Sequence, residues 1–568
     1  MRGAARASTA EPADLVIHGG RVWTVDPALP EAQAVAVRGD RIVHVGSSAD
    51  ALALLGPRTQ VIDLAGRLVL PGFIDAHTHF GNAAAWAFRV GVYELREPHE
   101  VTDAVAAVAS RLPEGLWITG GDIGAAAAWE ADAVGRPRPA PMPIDRRALD
   151  AVAPRHPVLL RRVDGAHVAN SLALSRARVN RHAPDPRGGR IERDASGELN
   201  GVMHGRAAER MVEVMPPDTM ELKVVGARAA LEELRRVGIT SIHDVARLDE
   251  ATQRHIFHTD VERSSTDLEI FRELQRRGEL SVRVYAFLSL PAWREAVAAG
   301  IRPRADEGLI RFGAMKAFID GFLMDAPYEG SRHSGDFTFR FVDEATIAAD
   351  IAGADAAGFD PVVHTIGDKA HRLLLDWYEA AIYANPGRDR RFRVIHAWYP
   401  SAREIARIGK LGLFADITPQ HLVNDLGAVD RKLGPERAKT AHAWRALSDA
   451  GARLDIVSDW PGSYNEQRAT PLSPLENIVL AMTRQAPDGS PAGGWHPDQR
   501  LTVQEAIAAY TITPAYASYE EDRKGSITVG KLADLVVLSQ DILSASAGDI
   551  RTTRVDLTIL GGRTIYAG

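Results

Sequence analysis

Short apolar bursts separated by turn residues open and close the chain. Asp14-Leu-Val-Ile-His-Gly-Gly-Arg-Val-Trp23 is an apolar run broken at Gly19-Gly20, and Ala34 to Gly46 reads as a hairpin turning at Gly39-Asp40. The last residues have the same texture: Ala533–Leu538, Val555–Leu560 and Arg563–Tyr566 are strand-like, with Gly561-Gly562 between the last two. Neither end alone is large enough to bury a core. The pattern therefore predicts one small β-sandwich domain built from residues 1–68 and 521–568.

Between the ends, strand-like runs alternate with amphipathic helical ones. Eight candidate strands stand out: Val69–Phe80, Ile239–Val245, Val282–Ser289, Leu309–Ile319, Pro361–Thr365, Arg393–Trp398, Leu413–Thr418 and Leu454–Asp459. Helical spacing of apolar residues marks Lys223–Arg236, Glu344–Ala357, Lys369–Tyr383 and Ala402–Leu411. Repeated β/α units predict an α/β fold, a (β/α)8 TIM-like barrel over residues 69–520. Residues 81–222, between the first two strands, are too many for one βα loop and carry their own strand-like Pro157-Val-Leu-Leu-Arg-Arg-Val163. They predict a subdomain inserted after the first barrel strand, where it could cover the barrel mouth.

Composition narrows the class. Of the 568 residues 45% are apolar and 25% charged, as in soluble globular proteins. The net charge of −7 gives no support for nucleic acid or an anionic membrane as the main partner. No run approaches the roughly 20 apolar residues that span a bilayer, and Met1–Pro12 lack the apolar centre of a secretory signal. The expectation is a cytoplasmic protein acting on a small molecule. There are no cysteines, which excludes disulfides, thiolate nucleophiles and Cys-type zinc sites. Any metal must be held by His, carboxylate or another oxygen donor.

The sharpest local signal is Leu70-Pro-Gly-Phe-Ile-Asp-Ala-His-Thr-His-Phe80. Residues i and i+2 of a strand share a face. At about 6.6 Å apart, their imidazoles can converge on one ion through bonds of about 2.1 Å. His77 and His79 meet that condition. Four later strands end in residues that could join them: Lys316, His364, His396 and Asp459. A barrel brings the C-terminal ends of all its strands to one mouth, so ligands on strands one, four, five, six and eight can share a site. Asp459 also suits acid/base chemistry. His243 ends the second strand, Gln420-His421 follow the seventh, Trp460 follows Asp459, and His167 lies in the insert. These five are candidates for substrate contact, with structural roles as the alternative. Asp320 and Asp368 lie just beyond ligands and are read as braces for loops.

This order of motifs resembles the amidohydrolase superfamily, and more closely amidohydrolase family 3, the YtcJ-like and N-substituted formamide deformylase-like branch. The matching pieces are Pro71 to His79, Gly238-Ile-Thr-Ser-Ile242, Lys316 with Asp320-Gly321, His364-Thr-Ile-Gly-Asp368, His396, Ser458-Asp459 and Gly525 to Val537. The resemblance implies that His77, His79 and Asp459 bind one divalent metal, led by Zn²⁺, and that His364 and His396 bind a second. It implies that Lys316, carboxylated by carbon dioxide, bridges the two. The implied activity is hydrolysis of a C–N bond, in an amide, formamide or related group, by metal-activated hydroxide. The same site could open a lactone, carbamate or cyclic imide or deaminate its substrate, and a non-catalytic metal-binding regulatory protein is the reading from another class. A homodimer is the expected assembly. The chain departs from the branch at Ile395, where a Glu is usual, at His167, displaced after Asp164-Gly165-Ala166, and at Gly120-Gly121-Asp122. These departures touch substrate recognition more than metal binding.

Overall fold

The computed structural model describes residues 11–568 except 87–88, 93–94, 125–136, 138, 217–218, 246–266, 321–323, 325–343, 428 and 462–471. Its centre is a sheet of eight parallel strands in sequential order: β1 (Phe73–Thr78), β2 (Ile239–Asp244), β3 (Arg283–Ser289), β4 (Ile310–Phe318), β5 (Asp360–Thr365), β6 (Arg393–His396), β7 (Phe414–Ile417) and β8 (Arg453–Ile456). Each strand is shielded on both faces, which explains the nearly continuous apolar runs. The first and last strands meet beyond the regular ladder. Thr78 bridges Trp460, Asp459 N–H donates to the His77 carbonyl at 3.0 Å, and His79 N–H donates to the Trp460 carbonyl at 2.8 Å. The sheet is a nearly closed TIM-type barrel.

Helices alternate with the strands as the apolar spacing predicts: Met220–Arg236, Glu344–Ala356, Asp368–Ala384 and Ala402–Lys410. The first is capped by Thr219, whose hydroxyl accepts from Leu222 N–H, and it packs its apolar stripe against the helix Phe80–Trp86 in the barrel's outer core. Among the described residues, no helix is long and apolar enough to cross a membrane.

The predicted first strand, Val69–Phe80, is in fact two. Leu68–Pro71 pairs antiparallel with Leu535–Leu538 and parallel with Arg21–Trp23, outside the barrel, whereas Phe73–Thr78 enters it. The break falls at Gly72, where a Cβ would lie 2.3 Å from Thr240 Oγ1 and 2.4 Å from Thr240 Cγ2. Only a residue without a side chain lets the backbone pass β2 this closely. Strands six and eight are also shorter than predicted. His396, Ala397 and Asp459 adopt positive φ (73°, 46° and 57°), which ends extended pairing.

The chain ends form two sheets face to face. One holds Arg41–Gly46, Ala34–Arg38, Leu15–His18 and Gln60–Asp63; the other holds Arg563–Ala567, Val555–Leu560, Leu535–Leu538, Leu68–Pro71, Arg21–Trp23 and Glu31–Ala32. Leu15, Ile17, Val35 and Val37 meet Val69, Leu535, Val537 and Ile559 between them. The insert builds its own six-stranded sheet from Arg89–Gly91, Ile118–Ile123, Val158–Arg162, His167–Ala169, Leu199–Gly205 and Gly189–Arg193, with a separate apolar core on Val101, Val105, Ile118, Val158 and Leu160.

Gly72→Ala should lower stability by about 1–3 kcal/mol through overpacking against Thr240. Urea unfolding would read this directly. Adding Thr240→Ala should restore part of the loss, and a fully additive pair would refute the steric explanation.

Candidate metal centre

Each candidate ligand reaches the site from a braced backbone. Asp75 Oδ1 accepts from His77 N–H at 3.3 Å and from Ser458 N–H at 3.1 Å, joining β1 to the end of β8. Burial raises this carboxyl to about 7. Asp244 Oδ1, at the end of β2, accepts from Thr78 Oγ1 (2.8 Å) and Phe80 N–H (2.7 Å), pinning the turn that carries His79. Asp320 accepts from Ile366 and Gly367 N–H at 2.9 and 2.8 Å, bracing the loop just after His364. His396 Nδ1 pairs with Thr418 Oγ1 at 3.2 Å, leaving Nε2 for the site. His396 and Asp459 both sit in left-handed backbone, a conformation that non-glycine residues keep only where the surroundings enforce it.

The side chains converge. His77 Nε2 and His79 Nε2 stand 3.3 and 3.2 Å from Asp459 Oδ1. Lys316 Nζ lies 3.3 Å from His77 Nε2. The His364 and His396 rings are 4.6 Å apart, and the His396 ring is 5.9 Å from that of His77. Ligand atoms of His77, His396 and Asp459 all fall within 4.8 Å of one another. All six residues are buried.

Burial holds the imidazoles of His77, His364 and His396 well below their usual range, so they are neutral and their lone pairs are available. Burial likewise lowers Lys316 to about 7.

This donor set fits a divalent ion. Ligand atoms about 2.1 Å from a shared tetrahedral ion lie about 3.4 Å apart, close to the observed 3.2 and 3.3 Å. Among the described residues, the buried Asp459 Oδ1 makes no hydrogen bond despite these two nitrogens. Atoms spaced as ligands but not aligned as hydrogen-bond partners are what a metal site leaves when only its protein part is considered. Neutral imidazoles with a carboxylate suit zinc and its first-row neighbours.

The remaining candidates divide. His421, on the short helix Pro419–Asp425 after β7, joins the site: its Nε2 is 3.6 Å from Asp459 Oδ2, and its ring is 5.3 Å from His396 and 5.2 Å from Trp398. Gln420 precedes it on the same turn. Trp460 supplies its backbone carbonyl to His79, while its indole packs in the apolar core. His243 faces the barrel interior, between Tyr285 and Phe287, with Nδ1 committed to Arg393. His167 pairs with Arg161 and Met203 in the insert's sheet rather than with a barrel strand. Gly321, part of one motif, lies outside the described residues. Sequence reasoning placed Asp244 beside His243 at the end of the second strand as a possible supporting or substrate contact, and assigned no role to Asp75 or Arg393. The signal for Arg393 was a lone charge inside an apolar strand.

Comparison with known proteins follows the same lines. A profile described as the amidohydrolase family matches residues 60–566. The chain is 31% identical to Protein LONG AFTER FAR-RED 3 of Arabidopsis thaliana, over 98% of this chain and 92% of that protein. It is 29% identical to the N-substituted formamide deformylase of Arthrobacter pascens, over 97% of this chain and 98% of that enzyme. Among solved structures, an uncharacterized metal-dependent hydrolase from Pyrococcus furiosus shares the fold with a TM-score of 0.68 at 22% identity, covering 93% of this chain and 100% of the other.

One buried histidine on the helix that follows β5 makes stability depend on pH. His371, on the helix Asp368–Ala384, donates Nδ1–H to the Gly367 carbonyl at 2.7 Å, and burial lowers its pKa from 6.5 to about 4. The unfolded chain takes up this proton first as pH falls. The stabilisation is complete above pH 6.5 and is lost toward pH 4, amounting to about 3 kcal/mol. Urea midpoints of metal-free protein between pH 7 and 4.5 should fall accordingly, and His371→Gln should flatten the slope by about one proton.

Proposed function

The chain belongs to the amidohydrolase family, and from that premise we propose that it is a metal-dependent hydrolase that cleaves a C–N bond in an amide or formamide of a small molecule. The observation that carries this reading is Asp459. One of its oxygens faces His77 and His79 at ligand spacing, and the other faces His421. The 29% identity to an N-substituted formamide deformylase over nearly the whole chain supports an amide-type bond.

In this reading His77, His79 and Asp459 hold one divalent ion, zinc being the leading candidate, and His364 and His396 hold a second. A bound ion supplies Lewis acidity, which polarises a carbonyl and lowers the pKa of a nearby water to about 7. The protein's own groups then do the proton work. Asp459 Oδ2 accepts the proton of the attacking water and returns it to the leaving nitrogen. His421, beside that oxygen, orients the carboxylate toward the substrate side. Gln420 and His421 line the approach to it.

Lys316 would carry a carbamate able to offer its oxygens to the ions. Its uncharged amine attacks carbon dioxide, an N–C bond forms, one proton leaves to solvent, and the ammonium is replaced by an anion with two oxygens. An unmodified ammonium 3.3 Å from a ligand nitrogen would repel the ions it must adjoin. The modification reverses that charge.

Three measurements test these assignments. Metal analysis should find one or two equivalents of divalent ion per chain. In a panel of N-substituted formamides, small amides and esters, His77→Ala and Asp459→Asn should each lose about 10²–10⁴-fold in turnover. Wild-type activity in both variants would overturn the assignment, and turnover confined to esters would move it to another bond. With ¹³C-bicarbonate, a carbamate resonance should appear in the wild type and be missing from Lys316→Ala.

A further inference from the structure

Beneath the ligands the barrel interior holds a charge where packed apolar layers are the rule. Arg393, on β6, is 1% exposed, and its guanidinium hydrogen-bonds to three other strands. Nε lies 3.0 Å from each carboxylate oxygen of Asp416 on β7, and Nη2 donates to Asp416 Oδ2 at 2.6 Å. Nη1 donates to His243 Nδ1 on β2 at 2.9 Å, and Nη2 donates to the Ala76 carbonyl on β1 at 2.7 Å. The group also lies over the Phe287 ring of β3, 5.2 Å from its centre. Arginine only donates, so His243 accepts at Nδ1 and carries its proton on Nε2.

Two of these contacts fall on an irregularity. The β1–β2 ladder pairs Asp75 with Ile242 and Thr78 with Asp244, so Ala76 and His77 together face His243 alone. This is a bulge, which turns side chains away from the directions a regular strand would set. It falls on the first metal ligand and two residues before the second. Regular pairing cannot define the peptide plane between Ala76 and His77. Side chains hold it instead: Arg393 binds its carbonyl, and Asp75 accepts its N–H at 3.3 Å. The same guanidinium fixes His243, the residue opposite. Both sides of the bulge are tied to one rigid planar group.

The charge is also suited to the place. A bare guanidinium under two divalent ions would weaken their binding. Here Asp416 neutralises it, with Asp455 Oδ2 a further 3.6 Å away, and both acids are fully buried.

We propose that Arg393 is the positioning residue of the metal centre, holding the Ala76–His77 bulge against His243 so that His77 and His79 aim at the ion. The proposal rests on the reading of this site as a metal centre. Arg393 touches neither substrate nor metal and acts through the backbone of β1.

The test is zinc affinity, measured on the full chain by competition with a chromophoric chelator, alongside the thermal midpoint of the metal-free protein. The variant is Arg393→Met with Asp416→Leu, which removes both charges and keeps the volume, a replacement that buried ion pairs often tolerate. It should fold and bind zinc 10–100-fold more weakly. Gly72→Ala is the control: it lowers the midpoint but should leave zinc affinity unchanged. If the double variant does not fold, Arg393→Lys replaces it, since an ammonium keeps the charge but not the planar fork; the same loss of affinity is expected. Unchanged affinity in the folded variant would overturn the positioning role. Wild-type protein that binds no zinc or other divalent ion would instead overturn the metal reading itself.

Discussion

The seam between the first and last barrel strands is the constraint on which the site depends. Two backbone hydrogen bonds close it, and both are made by candidate ligand residues: Asp459 N–H to the His77 carbonyl and His79 N–H to the Trp460 carbonyl. Closing the cylinder and assembling the donors are therefore one event. If β8 slid by one residue, Asp459 would turn away from the axis and the barrel would lose its last pairing as well. Asp75 strengthens the same seam from within, one carboxylate oxygen serving N–H groups on both strands.

Charge is distributed in layers along the barrel axis. The layer of candidate ligands consists of neutral imidazoles, one carboxylate and a lysine whose ammonium is disfavoured by burial. That combination is poor as an ion-pair network and good as a receptor for divalent cations. The layer below pairs Arg393 with Asp416, so a full positive charge lies beneath the candidate ligands without a net positive field. An unpaired charge at that depth would cost several kcal/mol.

Much of this was legible in the chain. The His77/His79 pair could be read because strand geometry puts alternate residues on one face, and the distant ligands could be gathered because each ended an apolar run in a β/α repeat. The branch resemblance agrees with the family that the whole-chain comparisons identify. Other features were silent for physical reasons. An apolar run of Val69 to Phe80 does not announce that it serves two sheets; only the approach of Thr240 to Gly72 reveals the break. The bulge at Ala76–His77 is a property of the pairing register, which no single strand encodes. Arg393 was visible as an oddity in Arg393-Val-Ile-His396, but its partners lie on β1, β2 and β7 and are set by closure. Trp460 was read as a candidate for substrate contact, and its carbonyl accepts from His79 N–H, a role that strand closure sets and the sequence does not announce.

The sheet that joins Leu68–Pro71 to Leu535–Leu538 has a consequence for biogenesis. On the ribosome, the early strand emerges long before its partner exists. At about 5–20 residues per second, the intervening chain takes roughly 20 to 90 s to make. Through that interval the strand has Arg21–Trp23 on one side, but its other edge has no native partner. The chain therefore completes this sheet only when translation is nearly finished, which makes it a poor candidate for folding from the front.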